Sequence, residues 1–392
     1  MMEPELQPHL MAAKVIDFTD WSCSTTKSLE ISLVQPRKGD SNSSEPTISL
    51  TFHPEFTYPI FGDHETAFGY KDLSLKLKYA SGSLQPFISM EYSSKYQPPS
   101  PSFTTESVQA DDLLKTLEDF LPRGYLTKQN EFIDVVRNDY TKFKPLGEKV
   151  HEYTQENNDG TLEQFEIYKN SFSNAKFRDY HSRMQLLALF FIEGSSYIED
   201  DDEKWEIYTS FKREKISDTE DAFHFIGYST TYPFYCWPEN IRMRISQFLV
   251  LPPFKKQGHG SKLYQTIYKL FLSRNEICEI TVEDPNEEFS DMRDKNDIRY
   301  LLERGAFKGL KAPVSQDKIQ ELCDKYKLTN RQTQRCVEMY LLSNVDKLNA
   351  KEYKAYRLQD VLREMEESER KDKLEQTYLG VEEDYHRLLE II

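Results

Sequence analysis

The chain has 392 residues, 38% of them hydrophobic and 30% charged, with a formal net charge of −16 and a pI near 5.1. That length predicts roughly two or three domains with a real core, and the composition excludes a disordered chain. An acidic surface repels phosphate backbones, so no direct nucleic-acid binding is expected, whereas a basic ligand is drawn in.

No apolar run approaches the ~18 residues of a membrane span, so no membrane association is expected. The opening MMEPELQPHLMAAK lacks the layout of a signal peptide. Cys23, Cys236, Cys278, Cys323 and Cys336 are dispersed, with no CxxC, which predicts reduced thiols and no metal site. A cytoplasmic and nuclear location is the expectation.

Residues 1–120 read as a β-rich N-terminal domain. Leu29, Ile31 and Leu33 alternate with polar residues, as do Ile48, Leu50 and Phe52, then Leu73, Leu75, Leu77 and Tyr79, then Ile88, Met90 and Tyr92. Period-two patterning sets one strand face on a core and the other in water. FGDHETAFGY reads as a loop carrying Asp63, His64 and Glu65, and QPPSPSFTTES as a loop before a helix. That helix opens at Ala110-Asp111-Asp112, with Leu113, Leu114, Leu117 and Phe120 on one face.

Residues 121–306 form the second domain. MQLLALFFI, Met184 to Ile192, reads as a strand buried on both faces. WEIYTSF and AFHFIGYSTTY follow as strands around a polar hairpin, with an acidic run from Glu199 to Glu203 in a solvated loop before them. Then come the strand RISQFLVL, the turn PPFKKQGHGS, a helix with Leu263, Ile267, Leu270 and Phe271 on one face, the strand ICEITVE, and a helix with Ile298, Leu301 and Leu302. Strand, glycine turn, helix, strand is a βαβ-like order. Residues 307–392 read as a helical C-terminal domain, on the spacing of Ile319, Leu322, Cys323 and Tyr326 and of Leu358, Val361, Leu362 and Met365.

Gly258-His259-Gly260 ends a strand and opens a helix, where orphan amides and the helix dipole suit a phosphate. A plain tight connection looks the same. A dinucleotide fingerprint needs glycine where Leu263 stands, and the GxxxxGK[ST] phosphate loop is absent.

RISQFLVLPPFKKQGHGSKLYQTIYKLF resembles the acetyl-CoA motif of the GNAT acetyltransferases. With FGDHETAFGYK, FFIEGSSYIEDDD and ITVEDPNE in the same order, the chain is similar to the type B histone acetyltransferase catalytic subunits. Lys255 departs from the motif, standing where Gln or Arg is usual.

The resemblance implies an α+β GNAT fold, with a splayed mixed central β-sheet flanked by helices. It implies acetyl-CoA as cosubstrate and no metal. Phe248, Leu249 and Val250 would lie along the pantetheine arm. Lys255, Lys256, Gln257, Gly258, His259, Gly260 and Ser261 would wrap the pyrophosphate, with Asn286 and Lys295 as further contacts. An oxyanion donor would come from the amide of Leu249 or Val250.

A lysine ammonium is mostly unreactive near pH 7, so transfer to lysine needs a base. On residues alone, Glu283-Asp284-Pro285 reads as a strand end bound for solvent. The resemblance implies Glu283 as general base, with Asp284 and, from a separate strand, Glu193 as accessory acids. Cys278 reads as an inert strand thiol, which favours direct attack in a ternary complex.

Asp63, His64 and Glu65, with Tyr232, Pro233 and Phe234, correspond to contacts for the tail of newly made histone four, and a WD-repeat histone-binding subunit is the implied partner. Two other readings stand beside this one: a non-catalytic histone chaperone on a decayed GNAT domain, and a GNAT enzyme for another protein or a small amine.

Overall fold

The computed structural model describes residues 19–37, 47–98, 108–157, 160–344 and 379–390. The helical spacing of Leu358, Val361, Leu362 and Met365 lies outside them. Two compact units result, one from residues up to Ala80, Gln85–Val136 and Leu189–Glu193, the other from Ser81–Leu84, Arg137–Ala188 and Gly194 onward.

The first unit is built on strands β1 (Leu29–Pro36), β2 (Thr47–Phe52), β3 (Ser74–Ala80) and β4 (Pro86–Glu91), ordered β2-β1-β3-β4. β1 and β3 run parallel and the other pairs antiparallel. Leu29, Ile31, Leu75, Leu77 and Tyr79 are fully buried, as their alternation predicts. Ile48 and Leu50 are exposed instead, because β2 is an edge strand with water along most of its length, and Tyr92 falls past the end of β4, also exposed.

Helix α1 (Leu113–Glu118) is capped by Asp112, whose carboxylate accepts the Lys115 amide. Leu113 and Leu117 turn inward while Leu114 faces out. Helix α2 (Gln129–Lys142) sets Phe132 and Val136 against Val34, Ala80 and Phe87.

The second unit carries β5 (Glu148–Glu156), β6 (Leu162–Ser171), β7 (Glu206–Lys215), β8 (Asp221–Cys236), β9 (Asn240–Val250) and β10 (Ile277–Val282) in the order β10-β9-β8-β7-β6-β5. Every pair is antiparallel except β9 with β10, which is parallel. Helix α5 (His259–Leu272) makes that parallel crossover, as the sheet requires. It buries Leu263, Ile267 and Phe271.

The run predicted as a doubly buried strand is helical: α3 (Ala175–Met184) is followed directly by α4 (Leu186–Phe191). Leu, Ala and Met are strong helix formers, and a continuous apolar run fits a helix buried all round as well as a strand. Helix α6 (Glu287–Glu303) follows β10, then α7 (Gln316–Tyr326) and α8 (Asn330–Ser343), and residues 379–389 are helical. Ile319, Leu322, Cys323 and Tyr326 are buried as their spacing predicts, whereas Leu302 at the end of α6 is exposed.

Candidate active site

β9 and β10 stay paired only from Ile241 to Ile245, and the last rung is the Glu283 amide donating to the Ile245 carbonyl at 2.9 Å. Beyond it β9 continues to Val250 without β10 beside it. The parting coincides with a bulge. Opposite β8 the register runs Thr231 to Ile245 and then Ser229 to Phe248, one residue longer on β9, and the Gln247 amide turns to the Thr230 hydroxyl at 3.0 Å.

Past the bulge, the Leu251 amide donates to the Ile226 carbonyl at 2.9 Å. Antiparallel alternation then gives Leu249 the next bonded position toward Tyr228, and turns the amides and carbonyls of Phe248 and Val250 away from β8, into the gap. Of the two amides proposed from sequence, Leu249 is thus committed to the ladder and Val250 is presented.

Glu283 sits at the mouth of this gap, its carboxylate accepting from the Ser246 hydroxyl at 2.5 Å. Both line a cavity of about 340 Å³ with Tyr197, Glu199, Asp202, Trp205, Tyr232, Phe234 and Arg244. Tyr232 donates to Asp202 at 2.7 Å, which holds that carboxyl below its usual range and raises the phenol. The Trp205 and Tyr232 ring centroids lie 4.8 Å apart, those of Tyr232 and Phe234 5.1 Å, and the Arg244 guanidinium covers Phe234 at 4.4 Å. Gln247 ties the wall together, donating to the Ser196 carbonyl at 2.9 Å and accepting from Tyr228 at 3.0 Å. Three carboxylates (Glu199, Asp202, Glu283) against one guanidinium make the cavity acidic and aromatic-walled, chemistry that suits a cationic side chain on an aliphatic stem.

The glycine turn precedes α5. Gly258 has φ +88°, and its position needs that left-handed backbone rather than extra room, since no atom lies within 4 Å of where a Cβ would stand. At Gly260 the need is space: a Cβ there would meet Met292 Sδ at 3.1 Å and Phe248 Cε1 at 3.7 Å. The first helical bond of α5 runs from the Lys262 amide to the Gly258 carbonyl at 3.1 Å, so the amides of His259, Gly260 and Ser261 have no helical acceptor. The side chains of this stretch are mostly engaged elsewhere. His259 is 2% exposed and its burial pushes the imidazole down to about 4. Ser261 accepts from Asn296 at 3.0 Å, and Lys255 lies 3.8 Å from Glu288. Lys256 is left-handed, with φ +59°.

Several predicted residues fall elsewhere. Asp284 does not join Glu283: just past the end of β10 its backbone is left-handed, with φ +34°, and it lines a separate cavity of about 810 Å³ with Asp291, Arg293 and Arg335. Glu193 follows α4 in a turn, not a strand, and belongs to the first unit. Asp63, His64 and Glu65 also belong to that unit. Asp63 and His64 are exposed, whereas the Glu65 carboxylate accepts the amides of Thr57 (2.5 Å) and Tyr58 (3.2 Å), capping the single turn Tyr58–Phe61. Asn286 caps α6 through the Phe289 amide at 2.9 Å, and Lys295 is half-buried on the same helix. Cys278 donates to the Ile241 carbonyl, and burial raises its thiol to about 11, a poor nucleophile near neutrality. Arg244, Ser246, Gln247 and Asp202 lie inside the segments that carry the resemblance but have no role assigned by it, and Trp205 lies outside those segments.

Comparison with known proteins settles the family. Residues 21–193 match the family described as Histone acetyl transferase HAT1 N-terminus, and residues 294–346 that of Fungal HAT1, C-terminal. The histone acetyltransferase type B catalytic subunit of Cryptococcus neoformans is 38% identical over 379 residues, 86% of this chain and 89% of that protein. The protein of that name from Mycosarcoma maydis is 38% identical over 408 residues (93% and 87%), and the Homo sapiens one 32% identical over 342 residues (86% and 79%). The chain belongs to the family of histone acetyltransferase type B catalytic subunits.

The parted parallel pair in a mixed sheet is the α+β GNAT arrangement that the acetyl-CoA motif implies. A solved Arabidopsis thaliana Naa50 complex with a CoA bisubstrate analogue matches 38% of this chain and 92% of its own at 13% identity, with a TM-score of 0.23.

Proposed function

We propose that the chain transfers acetyl from acetyl-CoA to a lysine side-chain amine on the tail of newly synthesised, non-chromatin histone four. The observation that carries this is the opening between β9 and β10, with the amides of Phe248 and Val250 turned into it and the Glu283 carboxylate at its mouth beside an acidic, aromatic cavity.

The residues present fit the cosubstrate. The orphan amides at the start of α5 suit a diphosphate, and the absence of a side chain at Gly260 leaves the approach open. The backbone of Phe248, Leu249 and Val250 would follow the pantetheine arm as a neighbouring strand would. Lys255 and Lys256 add charge beside the turn. Asn286 and Lys295 remain secondary contacts, and Asn286 would have to share its cap.

Glu283 would take the proton from the lysine ammonium, and the freed amine would attack the thioester directly. The Val250 amide is the oxyanion donor of this reading. Glu193 and Asp284 are accessory acids on the strength of the resemblance alone. Tyr232, Pro233 and Phe234 would border the tail, and Asp63, His64 and Glu65 would supply further contacts. A WD-repeat subunit as partner and a cytoplasmic and nuclear location complete the reading.

The test is mass spectrometry of a histone four tail peptide after incubation with the chain and acetyl-CoA. Acetyl-lysine on the tail is the expected product. Acetyl-CoA binding without any transfer would favour a histone-binding module, and transfer to polyamines in preference to the tail a small-amine enzyme.

A further inference from the structure

The glycine turn is held from beneath by β5, the strand at the far edge of the same sheet. Tyr153 and Gln155 are two residues apart on β5 and so share one face. Gln155 Nε2 donates to the Gln257 carbonyl at 2.7 Å, and the Tyr153 hydroxyl lies 2.9 Å from His259 Nδ1. The Tyr153 ring stacks on Phe165 at 5.2 Å, and Phe165 meets the His259 ring at 4.4 Å. The turn is gripped from its other side too, where Gln257 Nε2 donates to the Pro253 carbonyl at 2.8 Å.

These bonds have a directional consequence. The Gln257–Gly258 peptide is trans, so its C=O and N–H point in opposite directions. With the carbonyl drawn to Gln155, the Gly258 amide faces away from β5. His259 is the first residue of α5, and packing its ring against Phe165 while its Nδ1 meets the Tyr153 hydroxyl fixes the rotation of the turn whose next amides, Gly260 and Ser261, have no helical acceptor. Lys262 places its ammonium 5.9 Å from the Tyr153 ring, adding a cation beside the same turn.

We propose that Tyr153 and Gln155 are positioning residues that aim the amides of the Gly258 turn at the diphosphate of acetyl-CoA. This rests on the turn being the diphosphate seat. The two residues touch no reacting atom. They act through His259 and Gln257, and their effect belongs to cosubstrate affinity rather than to acetyl transfer.

The experiment compares acetyl-CoA with S-acetylpantetheine, which carries the thioester without the diphosphate, in steady-state assays of the full chain on a histone four tail peptide. Gln155→Ala is expected to raise the acetyl-CoA KM about three- to tenfold, the range for one lost hydrogen bond. Its kcat at saturation and its kcat/KM with S-acetylpantetheine should hold. Tyr153→Phe should move in the same direction. Gln155→Glu should move further, because a carboxylate repels both the carbonyl and the diphosphate.

A calorimetric titration with CoA reads the same ratio without turnover. Wild-type chain that treats the two donors alike would show that the seat itself is misplaced. Wild type that prefers acetyl-CoA, with Gln155→Ala unchanged in KM and CoA affinity, would overturn the brace and leave the seat standing. Equal losses with both donors would overturn it as well, since that pattern is general damage.

Discussion

Replacing Glu283 with Gln tests the base with little disturbance to the site. The amide oxygen of Gln can still accept from the Ser246 hydroxyl, and the main-chain rung to the Ile245 carbonyl is untouched. What disappears is the ability to take a proton. With a lysine pKa of about 10.4, roughly one amine in 2,500 is free at pH 7 and roughly one in 25 at pH 9. A positioned base contributes about 10²- to 10⁴-fold, so kcat at pH 7 should fall by that factor while acetyl-CoA affinity holds. The variant then depends on amine that solvent has already deprotonated. Its deficit relative to wild type should therefore shrink by up to about 100-fold between pH 7 and pH 9. Initial rates on a histone four tail peptide, at saturating acetyl-CoA and half-unit pH steps, measure this. A deficit that stays constant across the range, or wild-type turnover at pH 7, would remove Glu283 from the role.

Ser246→Ala should lower kcat about three- to tenfold, Ser246→Thr should restore most of it, and in the Glu283→Gln background neither change should matter. Gly258→Ala, forced to φ +88° in open space, should cost about 1–2 kcal/mol and raise the acetyl-CoA KM, with Gly258→Asn milder. His181 is buried beside Phe172, and desolvation lowers it to about 4 from an unfolded value of 6.5. The unfolded chain therefore binds the extra proton between those values, and stability present above pH 6.5 is lost as pH falls toward 4. At pH 5 that is about 2 kcal/mol. Urea denaturation of wild type and His181→Leu should show a shallower loss from pH 7 to pH 5 in the variant, and parallel curves would refute the assignment.

Alternation is legible in Leu29, Ile31 and Leu33 of β1, all buried, although it does not show that Val34 on the opposite face is buried as well, against Phe132 and Val136. The same pattern misleads at β2, because nothing within Ile48 and Leu50 records that their strand ends the sheet. MQLLALFFI shows the opposite ambiguity. The unbroken apolar stretch from Leu186 says buried and leaves the period open, and only its Leu and Ala content leans toward the helix that forms. The turn at Gly258 and the acid at Glu283 are both visible as residues, since a left-handed glycine before a helix and a carboxylate ending a strand are local facts.

Their meeting is not local. It depends on one extra residue in β9 around Ser246 and Gln247, which shifts the register against β8, ends the pairing with β10 and turns Ser246 toward Glu283. Serine and glutamine carry no bulge signature, so the sequence shows the two ends of the site without the device that joins them. Directly after Glu283 the chain leaves the strand direction, with Asp284 at φ +34°, and Asp284 lines the other cavity. Two adjacent acids therefore cannot be treated as one cluster on adjacency alone. Which of them faces the gap is decided by where the parallel rungs stop, and the last rung is made by the Glu283 amide itself.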